Sequence, residues 1–306
     1  METMMRRKIL LAVDGSDQAL EAVRYAGNML PGNLTEIVLF NVGTGFPEVF
    51  WDMKRNPLYA SKKPEVMEWL AEYQLGIGEF NEKALHILMK AGFETDAVSV
   101  KTQTRKIGIL KDIIQESYQG YNAIIVGRSG MSRLKDLVLR SMAYKLAEKV
   151  KHIPVVIVGG SPVGKRIFIA LDESIEAMRG VSCIGALAGS MDPEVTIGHC
   201  LQPSGKGRED DQDWRQYNEN RFKPYMDEAT QRLADAGVKV DKISRQFICV
   251  KGSAIQTIME TALMGKFSTI VVGRREEAGF AETYLRGRFS EHLIKSLNNM
   301  AVWVIN

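Results

Sequence analysis

The chain has 306 residues, 45% of them hydrophobic and 25% charged, which is ordinary for a globular protein and enough for about two domains. A net charge of +3 without a dense Lys/Arg block argues against a nucleic-acid footprint, and no apolar run approaches the roughly 20 residues of a membrane span. Three cysteines, Cys183, Cys200 and Cys249, show no metal-ligand spacing, so they read as small buried hydrophobes in a reducing, cytoplasmic protein.

The N-terminal stretch METMMRRKILLAVDGS places basic residues before an apolar run. That run is short and is stopped by Asp14, so it reads as a first strand and not as a signal peptide. DQALEAVRYAGNM has helical periodicity, and Ser16 or Asp17 is placed to cap it. EIVLFNV (Glu36–Val42) is a second strand. The stretch Gly43–Leu70 is long, aromatic and punctuated by prolines. Its Phe46, Phe50, Trp51 and Tyr59 either cover a cleft or bind an unidentified protein partner, or they simply pack over a helix. Helices follow at Glu82–Phe93, stopped by Gly92, and at Ile107–Ser117. NAIIVGRSG (Asn122–Gly130) is a strand running into a glycine-rich loop. Ser141 opens a further helix, and PVVIV (Pro154–Val158) closes the first half on a strand.

Gly159 to Lys165, GGSPVGK, matches most of a phosphate-binding loop. The residue after Lys165 is Arg166, so the hydroxyl that would hold Mg²⁺ is missing. The chain then continues as RIFIALD, a strand, where such a loop needs a helix N-terminus to aim at phosphate. The segment is therefore read as an interdomain linker.

Beyond the linker the pattern repeats. KRIFIALDESIEAMRGVSCIGAL matches KILLAVDGSDQALEAVRYAGNM, with Asp172 in the place of Asp14. EVTIGHC (Glu194–Cys200) matches EIVLFNV, Asp227–Val238 matches Glu82–Phe93, Gly252–Ala262 matches Ile107–Ser117, and STIVVGRRE (Ser268–Glu276) matches NAIIVGRSG. The half closes on AVWVI (Ala301–Ile305). The polar stretch LQPSGKGREDDQDWRQYNENRF, in the place of the aromatic segment, is read as a solvated loop. Five strands alternating with about four helices, twice over, predict an α/β fold of two tandem five-stranded parallel-sheet, doubly wound, Rossmann-like domains. The expected boundaries are 1–158 and 166–306, joined by the linker 159–165.

Ligands of such sheets bind beyond the carboxyl ends of the strands, where strand order reverses. Asp14, Val42 and Gly127 end strands there in the first half, and Asp172, Cys200 and Gly273 in the second. Gly127 and Gly130 allow close backbone approach to phosphate oxygens. The loop amides, the helix start and the Ser141 hydroxyl supply donors. Asp14 is placed to accept from an adenine or ribose edge, and Val42 to pack on a base.

AVDGSDQA and VGRSG…RSMAYKLAEKVKHIPVVIV resemble the universal stress protein family, whose signature is G-x2-G-x9-G-[ST] with an upstream strand-end Asp. The resemblance spans nearly every element and implies two such domains in one chain. It implies ATP, with Mg²⁺ held through the phosphates, bound by Ala12, Val13, Asp14, Val42, Gly127, Arg128, Gly130, Arg140, Ser141 and Met142, with Asp172 and Gly273 as second-half counterparts. Two departures stand out. Arg140 replaces the third glycine and either crowds the phosphate path or pairs with phosphate. In the second half, Glu276 stands where the second glycine belongs, Gly279 substitutes only if the loop is re-registered, Gly287 lies one residue too far, and Arg288 takes the hydroxyl position. The second site is expected to be degenerate.

His86, His152, His199 and His292 are scattered without metal spacing, and no nucleophile–His–acid set is evident. The expected role is an ATP-binding stress or signalling module, at most a slow hydrolase. The alternative is a scaffold using the same fold without nucleotide. An adenylating enzyme is disfavoured because VDGSDQ stands where such enzymes carry SGGxDS. Domains of the family commonly pair through the last strand, so PVVIV and AVWVI are expected to pair within the chain and bury Trp303. A further homodimer stays open.

Overall fold

The computed structural model describes residues 6–43, 63–128, 142–203, 211–250, 253–274 and 299–306. The first half runs β1 (Arg7–Val13), α1 (Asp17–Met29), β2 (Thr35–Gly43), α2 (Lys63–Lys90), β3 (Val98–Thr104), α3 (Ile109–Ser117), β4 (Ala123–Gly127), α4 (Met142–Lys149) and β5 (Val155–Gly159). The second runs β6 (Arg166–Ala170), α5 (Ile175–Ala188), β7 (Glu194–Leu201), α6 (Gln212–Asp235), β8 (Ile243–Cys249), α7 (Ala254–Met264), β9 (Thr269–Gly273) and β10 (Met300–Ile305).

All ten strands form one sheet in the order β3-β2-β1-β4-β5-β10-β9-β6-β7-β8. Each half is a parallel, doubly wound unit. The halves meet where β5 and β10 pair antiparallel, with Val156 opposite Trp303 and Ile157 opposite Val302. The expected pairing of the closing strands is thus present, and Trp303 is 1% exposed. Its indole Nε1 donates to the Tyr25 hydroxyl at 2.7 Å, and that hydroxyl lies 2.9 Å from Thr269 Oγ1. Tyr25 belongs to α1, so this buried polar chain crosses from one half to the other.

The inner strands carry continuous apolar runs because helices cover both faces. Ile9, Leu11, Val13, Ile37 and Leu39 pack with Ala22, Val23, Ala84 and Leu88 of α1 and α2. Leu10, Ala12, Val38, Phe40 and Val42 face the other way, against Ile113 and Leu146 of α3 and α4. The same division recurs in the second half, where Val181 and Leu233 join the first layer and Ile258 and Ala262 the second.

The stretch read as a solvated loop is corrected. From Gln212 onward it is helix α6, capped by Asp211, whose side chain accepts from Trp214 N at 3.0 Å. Its buried residues are Phe222, Met226, Ala229 and Leu233, a narrow stripe of helical spacing on an otherwise polar helix. The cysteines are partly buried rather than fully so, and all three are free. No helix follows Lys165, where a phosphate-binding loop would need one: β6 begins at Arg166, and Lys165 Nζ donates to the Met191 carbonyl at 3.1 Å. Among the described residues no helix is long and apolar enough to cross a membrane.

Candidate functional site

Strand order reverses between β1 and β4 in the first half and between β6 and β9 in the second, so each half has one switch point. At the first, Gly15 takes φ +80°, a conformation that suits glycine, and the chain turns from β1 into α1. Asp14 Oδ1 accepts from Ser16 N at 3.1 Å and Ser16 Oγ at 2.6 Å, and Ser16 Oγ accepts from Ala19 N at 3.2 Å. Ser16 is therefore the helix cap, and Asp14 is held by one oxygen. Its other oxygen, Oδ2, is buried without a hydrogen-bond partner among the described residues.

Asn41, one strand over, completes the pair. It is 1% exposed. Its Nδ2 donates to the Val13 carbonyl at 3.0 Å, which leaves its Oδ1 buried and unpartnered. Of four such atoms among the described residues, two therefore sit at the carboxyl ends of β1 and β2. Leaving a buried acceptor unsatisfied costs about 1–3 kcal/mol, and more when it is charged, so each such atom calls for a donor. Asn41 was not singled out in the sequence reading. Its signal was present only as a polar residue inside the apolar run EIVLFNV.

The other candidates distribute as follows. Ala12, Val13 and Val42 are buried in the core, so their side chains pack the sheet. Gly127 ends β4 where the first turn of α1 rests on it, and a Cβ there would lie 2.9 Å from the Gln18 carbonyl oxygen. Gln18 Nε2 bridges to the carbonyls of Val158 at 3.3 Å and Gly160 at 3.2 Å, and Arg128 N donates to the Val158 carbonyl at 2.8 Å. Helix packing alone thus requires glycine at 127. Gln18 was missed by the sequence reading because its role depends on β5 lying beside β4. Met142 opens α4. Gly130, Arg140 and Ser141 lie outside the described residues, as do Phe46, Phe50, Trp51, Tyr59, Glu276, Gly279, Gly287 and Arg288.

The second switch point has the same turn and a different surrounding. Asp172 Oδ1 accepts from Ser174 N at 2.9 Å and from Ser174 Oγ, which in turn caps α5 through Ala177 N at 3.1 Å. A Cβ on Gly273 would lie 2.5 Å from Ala177 N. His199 stands where Asn41 stands in the first half, and its Nδ1 donates to the Leu171 carbonyl at 2.8 Å. The imidazole stacks on Phe222 of α6 with centroids 3.4 Å apart, Phe222 stacks in turn on Tyr225, and Phe247 meets His199 edge-on. Arg221 of the same helix bridges Glu173 at 2.7 Å. Helix α6 is thus fastened to the strand ends of the second half by an aromatic stack and an ion pair. Burial pushes His199 below the ordinary histidine range, against the opposing pull of the Leu171 carbonyl and Asp172. Burial also raises the neighbouring Cys200 thiol to about 11. Among the described residues no group of three or more His, Cys, Asp or Glu is placed to hold a metal ion.

The model of the universal stress protein family matches residues 5–159 and again 164–305. A universal stress protein from Archaeoglobus fulgidus DSM 4304 superposes with TM-score 0.65 at 18% identity, over 99% of this chain and 97% of that one. A functionally unknown protein from Pseudomonas aeruginosa PAO1 does so with TM-score 0.56 at 15% identity, over 98% and 92%. A universal stress protein solved in complex with cAMP aligns with 46% of this chain and 96% of its own, at 19% identity and TM-score 0.34. No curated protein is similar enough to count as a relative. With its family model filling both repeats, and full-length likeness to a solved member, the chain belongs to the universal stress protein family as a tandem of two such domains.

Proposed function

We propose that the first half binds an adenine nucleotide, ATP with Mg²⁺ held through its phosphates, and that the second half has lost this ligand. The observation that carries the reading is the unpartnered Asp14 Oδ2, fixed by the helix cap at the first switch point. With Asn41 Oδ1 it offers two buried acceptors, which suit an exocyclic amino group or ribose hydroxyls. Gly130, Arg140, Ser141 and the amides leading into α4 are the proposed phosphate contacts, with Arg140 pairing a phosphate oxygen. The proposed role is binding, with hydrolysis slow at most. Three free thiols suit a reducing, cytoplasmic setting.

In the second half the His199–Phe222 stack and the Arg221–Glu173 pair occupy the end of β6 and β7. That closure also supports a second reading, a scaffold in which neither half takes nucleotide. The test is to denature the freshly purified chain, identify any released nucleotide by mass spectrometry, and titrate the stripped protein with ATP. Close to one ATP per chain is expected. Two would show a working second site, and none would leave the scaffold.

A further inference from the structure

We propose that the second half serves the first as a strut, with Arg274 and Asn306 positioning helix α4 so that its N-terminal end faces the nucleotide phosphates. This rests on the reading that the first half binds nucleotide. Arg274 directly follows Gly273, the position that Arg128 occupies after Gly127. Both backbones are fixed in the same way, Arg128 N to the Val158 carbonyl at 2.8 Å and Arg274 N to the Ile305 carbonyl at 2.7 Å. The side chain of Arg274 leaves its own half. Its Nη1 donates to the Ala147 carbonyl of α4 at 2.8 Å, and Asn306 Nδ2 donates to the Val150 carbonyl at 2.7 Å.

Ala147 and Val150 lie at the C-terminal end of α4, where carbonyls lack intrahelical partners and the helix end carries partial negative charge. A guanidinium and an amide from the other half fill both needs. Leu146, Ala147 and Val150 are buried in the same apolar layer as Val302 and Val304 of β10, and the Arg274 and Asn306 bonds seat the base of α4 on the seam between the halves. Helix α4 starts at Met142, next in sequence to Arg140 and Ser141. Arg274, at the strand end of the second half, is thus committed to holding the helix of the first.

The test uses the nucleotide-stripped full chain, ATP–Mg²⁺ titration, and hydrogen exchange of the α4 amides without ligand. Arg274→Ala is expected to weaken ATP by about tenfold, the usual scale of coupling between sites, and to speed exchange in α4. Arg274→Lys, which keeps one donor, is expected to recover part of both, and Asn306→Ala to reproduce the loss more weakly. Trp303→Phe is the control, lowering Tm at the seam while leaving ATP affinity unchanged. The proposal is overturned if Arg274→Ala leaves α4 exchange at the native rate, or if exchange rises while ATP affinity stays native. If the native chain takes no ATP, the nucleotide reading falls, and α4 exchange alone then decides whether the strut exists.

Discussion

Asn41 and His199 hold the same post in the two halves. Each lies near the carboxyl end of the second strand of its half and donates a side-chain N–H to a carbonyl at the end of the first, Asn41 to Val13 at 3.0 Å and His199 to Leu171 at 2.8 Å. Asn41 does this and keeps a buried acceptor to spare. His199 spends its other surface on a stack with Phe222. One backbone design thus yields an open acceptor in one half and a filled aromatic contact in the other.

This difference predicts a pH dependence. Burial holds His199 below its ordinary pKa, which is about 6.5 in the unfolded chain. Below that value the unfolded state binds the extra proton, so the contribution of His199 is complete above about pH 6.5 and is lost as the pH falls below it. His199→Asn, which copies the first half, should flatten this acid-side fall in Tm between about pH 7 and 5. Parallel Tm–pH curves for the two proteins would refute the assignment.

The seam between the halves gives a second prediction. In Tyr25→Phe the buried Trp303 Nε1 loses its only acceptor among the described residues. The cost is expected to be about 1–3 kcal/mol, read as a lower denaturant midpoint with a changed tryptophan emission. A variant as stable as the native chain would mean that the Tyr25–Trp303 bond contributes nothing.

The glycines at the two switch points make a third. A methyl group at 127 meets the Gln18 carbonyl, and one at 273 meets Ala177 N more closely still. Gly127→Ala and Gly273→Ala should each destabilise the ligand-free protein, by about 1–3 kcal/mol as for other overpacked sites. Were these glycines required only by phosphate, Gly127→Ala would lose ATP and keep its stability.

Much of this fold is written in its periodicity. The apolar runs ILLAV, AIIVG and TIVVG announce strands covered on both sides, and their repetition announces the tandem. Two edge strands and the start of one helix were not located, for physical reasons. β3 and β8 are the outermost strands, and β3 reads VSVKTQT with most positions exposed, a polar edge that guards against further pairing and hides the strand signal. The start of α6, ahead of the Asp227–Val238 stretch that did read as a helix, carries only Phe222 and Met226 as its apolar stripe, and its charged remainder resembles a loop. At the site, the Asp14 turn and the capping Ser16 were legible in VDGS. The parts played by Asn41, Gln18 and Arg274 were not, since each depends on a partner far away in sequence, at Val13, Val158 and Ala147.

The central claim stands on Asp14 Oδ2, and Asp14→Asn tests it most directly. Asparagine keeps the oxygen that holds Ser16 and turns the unpartnered acceptor into a donor. ATP titration of the stripped variant by calorimetry should show affinity lower by about tenfold or more, the scale of one lost buried hydrogen bond, while the ligand-free Tm is equal or higher. Native ATP affinity in Asp14→Asn would contradict the account.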